Sequence, residues 1–521
     1  MTVREIARKL RAWEAGQPIP RYDTIHHAVV PHEQALIVAF VRMAGESRPW
    51  GIAWGTAGST PTIQSVPDGR VRDDVSMLCA EFAEALLEHM RVHNWTYDPV
   101  DQTAVPTALR QVWLPNGQHV AMLHQLNYTY SQTRFGGLNQ DILRAFGRLA
   151  GWLFRDSLRT GTQHLVNASA ALADAYVFPA QAVRTEHLGY QLAWLATPGS
   201  RDERMAAAMA AERLPVSPTM DPDVDRDQLD GLVDRWQEQR REGSDTTEVG
   251  VQIASVLEPE LRRRWDLTEQ AYWLLVNNDR PVNAGVPALV AEAHKEFWFQ
   301  HQRIELRYND PTQGPAFVAH PETDYHGSAA ASRYLIHAAA DEAHVGHLVH
   351  DDHEMFNEAL DEGKALRAIV VSVRDIGFGR TTTPQWELHL DPALPQRLRE
   401  SSRLVPYGSR GHEGTVVSVD ADGDALVVLI EWTGKKTMAL ACGIGAKPVD
   451  TAWVGQEAAF VVSDAADLTK RRSSRVWKAK EGPGAWLTHG TAPIQVEITT
   501  DEGESDLLVD DVRQLEQGAP A

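Results

Sequence analysis

Two stretches of this chain gather the residue types that do chemistry. The first holds His337, Asp341, Glu342, His344, His347, His350, Asp351, Asp352, His353 and Glu354. On a helix, His337, Asp341 and His344 share one face at i, i+4 and i+7, and His347, Asp351 and Glu354 repeat that spacing. Imidazole with carboxylate suits zinc, iron or manganese, so either triplet would hold a divalent metal and support a metal-dependent hydrolase. The competing reading is a solvated polar helix face, because no second ligand-bearing segment is identifiable. Asp341 and Glu342 are a weaker pair for general acid and base.

The second stretch is basic. Lys470, Arg471, Arg472, Arg475, Lys478 and Lys480 fall within eleven residues that contain no acid, with Lys435 and Lys436 upstream. Cations along a groove neutralise phosphates, and aromatic rings stack on unpaired bases. Trp432, Phe460, Trp477 and Trp486 lie in the same region. This pattern expects nucleic-acid contact through Lys435, Lys436, Lys470, Arg471, Arg472, Arg475, Trp477, Lys478, Lys480 and Trp486. The competing reading makes the tryptophans core and the cations a solubilising edge. Arg262, Arg263 and Arg264 read as an exposed face.

The rest of the chain sets limits on these sites. A formal net charge of −21 over 521 residues repels polyanions as a whole, so any such contact is local. There is no Walker A loop, no GxGxxG opening a helix, no HExxH, no GxSxG and no kinase signature, which disfavours an NTPase or dinucleotide-binding enzyme. Cys79 and Cys442 form no CxxC motif and no disulfide framework. With no signal core, no long apolar run and many more arginines than lysines, the expectation is a bacterial cytoplasmic protein without a membrane partner. No cofactor is called for beyond a divalent metal.

The patterning predicts an α+β multidomain chain. Residues 1–213 read as an α/β domain: strands at Ala35–Ala44, Pro49–Gly55 and Pro61–Val66, and a helix opening at Asp73 and Asp74. A strand at His119–Leu126 and helices near 139–157 and 167–176 follow. Residues 214–249 read as a charged, proline-containing linker with one solvated helix, and 250–364 as a mainly helical domain with a strand-like segment near 303–308. Residues 365–521 read as a small β-barrel of the OB or SH3-like kind with an acidic tail. Its hairpins are AIVVSVRD with PQWELHL and HEGTVVSVD with ALVVLIEW, and QEAAFVVSD and APIQVEITT supply further strands.

The order of elements in 30–195 resembles a ribonuclease H-like exonuclease domain of bacterial nuclease-helicase proteins. The resemblance rests on ALIVAFVRMAGESRPWGIAWG, HVAMLHQLNYTY and ALADAYVFPAQAVRTEHLGYQLAWL. It covers about a third of the chain. Such nucleases carry two acids on the first strand to hold metal ions, and ALIVAFVRMA has none; Glu46 lies beyond it. His124, Asn127 and Tyr128 fall where the second motif would, again without a carboxylate. The resemblance therefore implies lost cleavage and a retained binding surface. The leading expectation is a non-catalytic, nucleic-acid-associated accessory or adaptor protein of a helicase-linked repair or phage-defence system, partnered by nucleic acid and by a helicase or another complex subunit. The alternatives are the metal-dependent hydrolase and a protein-interaction subunit of a larger complex.

Overall fold

The computed structural model describes residues 3–286 and 348–462, except 29, 91–94, 99–102, 107–108, 135–136, 159–162, 180–185, 284–285, 378–381, 394, 410, 423–424 and 441–442. The strands expected at 303–308 and in APIQVEITT, and the part of the expected helical domain at 287–347, lie outside the described residues.

After helix α1 (Val3–Ala15), the three-strand meander forms as β1 (Ala35–Val41), β2 (Gly51–Thr56) and β3 (Thr62–Ser65). Helix α2 (Arg72–Met90) follows, with Asp73 and Asp74 in its first turn, where the helix dipole favours anions. Next come β4 (Gln111–Leu114), α3 (Gly117–Tyr130), α4 (Gln140–Ser157), β5 (Leu165–Asn167) and α5 (Ala168–Ala175). The sheet order is β3-β2-β1-β4-β5; β1, β2 and β3 pair antiparallel, while β4 and β5 continue parallel to β1.

The strand expected at His119–Leu126 is instead part of α3. His119, Met122, Leu123 and Leu126 are the buried residues, a spacing of three and four that only a helix puts on one face. Asn116 starts that helix, its side chain accepting from the amides of Gln118 and His119. The strand is the short run just before the PNG turn.

Helices α6 (Leu188–Ala196) and α7 (Arg201–Glu212) lead into the segment expected to be a linker. It packs. Val216, Met220, Leu229, Val233 and Trp236 join the same apolar core as the sheet. The last two are the inward face of α8 (Asp230–Glu242), whose charges occupy the other sides. Helix α9 (Thr247–Val276), assigned by its sequence to a separate middle domain, lies against the sheet. Its buried stripe includes Ile253, Leu257, Leu261, Trp265 and Tyr272; Trp265 Nε1 donates to the Ile37 carbonyl at 3.2 Å, and Tyr272 OH to that of Val30 at 2.7 Å. All seven residues of β1 are buried, with α9 on one face and α2 and α3 toward the other, which is why that strand reads as one continuous apolar run. Arg264 is not on an exposed face. It is fully buried and donates to Glu260 and to the Ser217 carbonyl. Three adjacent residues on a helix point 100° apart, so a triple-arginine run cannot share one environment.

Helix α10 (His353–Asp361) precedes the C-terminal barrel. The barrel strands are β6 (Ala365–Ile376), β7 (Thr383–Leu390), β8 (Arg403–Pro406), β9 (Gly414–Asp422), β10 (Ala425–Trp432) and β11 (Glu457–Val462). They close in the order β6-β7-β10-β9-β8-β11 with every neighbour antiparallel. Both expected hairpins are present. Inward alternation supplies Trp386, Leu388 and Leu390 from β7 and Val428, Ile430 and Trp432 from β10. Trp432 and Phe460, considered above as stacking platforms, are core: they pack with Trp386 and Trp453 around the barrel centre. Trp432 ends β10 and Phe460 lies within the six-residue β11, and burial of both rings in the barrel interior leaves neither a face for a ligand.

Candidate functional site

The expected nucleic-acid residues divide in two. Lys470, Arg471, Arg472, Arg475, Trp477, Lys478, Lys480 and Trp486 lie outside the described residues. Lys435 and Lys436 sit on the exposed loop after β10. Lys435 reaches Thr382 and lies 3.9 Å from Asp375, and the Lys436 carbonyl is bound by His412 at 3.0 Å. Their charges stand at one rim of the barrel.

Of the metal-type cluster, His337, Asp341, His344 and His347 lie outside the described residues. Glu354, expected as a ligand, is committed elsewhere: Arg8 of α1 binds it at 2.9 Å and also pairs with Glu358. The guanidinium is inserted between two carboxylates one helical turn apart and takes one oxygen of each. Among the described residues, no group of three His, Cys, Asp or Glu side chains is placed to hold a metal ion.

Asp352, unassigned by the spacing argument, has the more defined role. It caps α10 by accepting from the amides of Glu354 and Met355, and it accepts from both the amide and hydroxyl of Thr24 at 2.8 and 2.9 Å. His26 Nε2 lies 3.8 Å away. Together with Arg8 and the Arg4–Asp361 pair, it ties the N-terminal segment to the helix that enters the barrel. Burial pushes the carboxyl up, but the bonds from His26, Met355 and Thr24 outweigh it and hold the pKa at about 2. A depressed carboxyl pKa stabilises the fold above the unfolded value of 3.8, and that contribution fades as pH falls toward 2. Asp352→Asn is therefore expected to lower the unfolding free energy by on the order of 2 kcal/mol at pH 7 and by far less at pH 2.5. Denaturant titrations of both proteins at the two pH values check this; an equal deficit at both sinks it.

The carboxyl ends of the parallel strands are where α/β sheets place ligands. A cleft of about 840 Å³ opens there, lined by Asn116, Asn167, His187, Glu212, Ser217 and Asp221 among others. Most of these polar groups organise helix ends. Asn116 caps α3, Asn167 caps α5, and Asp221 accepts from the amide of Asp223. His187 accepts from the Tyr190 amide at 3.1 Å through Nδ1 and donates through Nε2 to the Leu214 carbonyl at 3.2 Å, and burial lowers its pKa.

Residues 218–220 run parallel beside the carboxyl end of β1. The Arg42 amide donates to the Pro218 carbonyl at 2.8 Å, and the Arg42 guanidinium reaches the Thr219 hydroxyl. No carboxylate comes from β1 itself; at this edge Asn116, two residues past β4, and Asn167, the last residue of β5, are the asparagine caps. No family model, curated protein or solved structure matches this chain.

His119 was missed by sequence reasoning as a bridging group. Its Nδ1 accepts from the Phe40 amide at 3.2 Å and its Nε2 donates to the Val216 carbonyl at 2.9 Å, joining α3, β1 and the packed 216–220 segment. A single histidine in an apolar helix carries no signal for that role.

Proposed function

We propose that this protein is a nucleic-acid-associated accessory or adaptor, built on a ribonuclease H-like N-terminal unit without a two-metal cleavage centre and serving a helicase-linked repair or phage-defence system. The sheet order β3-β2-β1-β4-β5, a meander extended by two parallel strands beside its first strand, supports the ribonuclease H-like reading. What carries the non-catalytic part is β1. Its seven residues, ALIVAFV, contain no acid, where a two-metal centre would need carboxylates, and the segment that pairs in parallel beside its carboxyl end, residues 218–220, brings none either.

Nucleic-acid contact falls to the barrel, of the OB or SH3-like kind, and to the basic run that follows it. The described barrel presents Lys435 and Lys436 at one rim, and six cations from Lys470 to Lys480 come soon after β11 in the sequence. A molecule of net charge −21 concentrates positive charge in this way only over a short region. Phosphate neutralisation releases counterions, so log affinity falls linearly with log salt. The test is a salt-titrated binding assay with single-stranded and duplex oligonucleotides, with magnesium or manganese added in a parallel series. Salt-sensitive binding with the oligonucleotide left intact is expected. Absence of binding removes the reading, and metal-dependent cleavage removes its non-catalytic half.

A further inference from the structure

We infer that helix α1 is a self-association surface, and that it pairs in parallel with the α1 of a second copy of this chain. An amphipathic helix ordinarily turns its apolar side to its own core. Here the order is reversed. The residues that α1 buries are Arg8 and Ala12, while Val3 is 84%, Leu10 56%, Ile6 42% and Trp13 42% exposed. At roughly 100° per residue, the four apolar side chains fall within an arc of about 80°, centred about 160° from the buried pair.

Polar contacts hold the other side. Arg4 binds Asp361, Arg8 is set between Glu354 and Glu358 of α10, and Glu5 accepts from Arg21 at 2.7 Å. Arg201, at the start of α7, lies over the Trp13 ring at 4.5 Å. The helix is thus formed and fixed before any partner arrives, and pairing costs little further ordering.

The spacing of the exposed residues selects a helix as the partner. Val3, Ile6, Leu10 and Trp13 recur at three, four and three residues, the a, d, a, d seam of a coiled coil, narrower than the stripe of a core-facing helix. A net charge of −21 sets the molecule against an anionic lipid surface. In the same register Lys9 takes a g position and Glu14 the following e position. These two positions face each other across a parallel pair, Lys9 of each copy against Glu14 of the other. Neither side chain is engaged in a hydrogen bond or ion pair among the described residues. An antiparallel pair would instead set the two Lys9 side chains next to each other. The seam therefore complements itself in charge, and in one orientation. Because the buried side of α1 lies opposite the seam, the two folds end on the outer sides of the pair. Four apolar side chains from each copy cover less than the roughly 1,200 Å² of a stable interface, so the dimer is weak and reversible.

The experiment is sedimentation velocity on the full chain, without nucleic acid, over a concentration series from the micromolar range upward. A reversible monomer–dimer equilibrium is expected. Leu10→Asp, at an exposed position, abolishes the dimer and leaves the melting curve unchanged. Lys9→Glu and Glu14→Lys each weaken it on the order of tenfold by setting like charges across the seam. The double variant K9E/E14K restores both pairs in reversed order and recovers the original affinity, and the two single variants mixed together form a heterodimer tighter than either makes alone. A chain that stays monomeric overturns the inference, including one that instead sediments with phosphatidylserine vesicles. So does a dimer indifferent to Leu10→Asp, or a pair of charge reversals that fail to rescue each other.

Discussion

Replacing Arg471, Arg472 and Arg475 together with glutamate is expected to weaken oligonucleotide binding by about 100-fold near physiological salt and to reduce the slope of log affinity against log salt by about 2. The slope counts phosphates: each contact on a single strand contributes roughly 0.7, so three lost contacts give the stated change. Reversal adds repulsion between the new carboxylates and the backbone, on top of the contacts removed. Neutral glutamine replacements should therefore reduce the slope to the same extent and the affinity less. Filter binding or anisotropy from low to moderate salt separates these quantities, and an affinity unchanged by reversal would remove the C-terminal contact.

Mild acid is expected to destabilise the N-terminal unit because its buried histidines are held neutral. Burial lowers His119 to about 3 from the ordinary 6.5, outweighing the opposing bond to the Val216 carbonyl, with Arg264 and Arg42 lowering it further. Desolvation brings His27 and His89 to about 4 in the same way. Below pH 6.5 the unfolded chain takes up protons at these sites and the folded chain does not, so stability falls as pH falls through that value. For His119 alone, going from pH 7 to pH 5 removes about 2 kcal/mol, with His27 and His89 acting in the same direction. His119→Gln cannot titrate, so its unfolding free energy should start lower at pH 7 yet decline less steeply. Urea melts at pH 7, 6 and 5 measure both lines, and parallel lines would show that His119 is not a source of the acid sensitivity.

The parts of the fold legible in the sequence were those set by a local period. Helix α2 and both barrel hairpins follow from a three-and-four spacing or from alternation, and the meander at 35–65 from a continuous apolar run cut by turns, none of which a distant contact overrides. Segment 214–249 was misread because its composition is dominated by outward residues. Val216, Met220, Leu229, Val233, Trp236 and Val249 are buried in the core, and six apolar positions among so many charges do not announce a packed layer. Arg264 shows the same limit, since its partners at Ser217 and Thr219 are some 45 residues away.

The candidate sites were legible as composition and not as geometry. Charge clustering marked the basic run, but nothing in the sequence distinguished the core rings Trp432 and Phe460 from ligand-facing ones. Glu354 looked like a ligand by spacing and is bound by Arg8, 346 residues away, a pairing visible only once α1 is set against α10.

Because β11 bonds to β6 on one side and β8 on the other, the sheet closes on itself, but the closure spans only Ala365–Ile369 of β6 and the start of β9. Beyond Val416, β9 keeps β10 as its one strand neighbour among the described residues, so an extended peptide added as a further strand would lie along that side. Ending the chain just before Glu457 would unzip two rims at once. The shortened protein should then accumulate as light-scattering assemblies where the full-length chain stays dispersed.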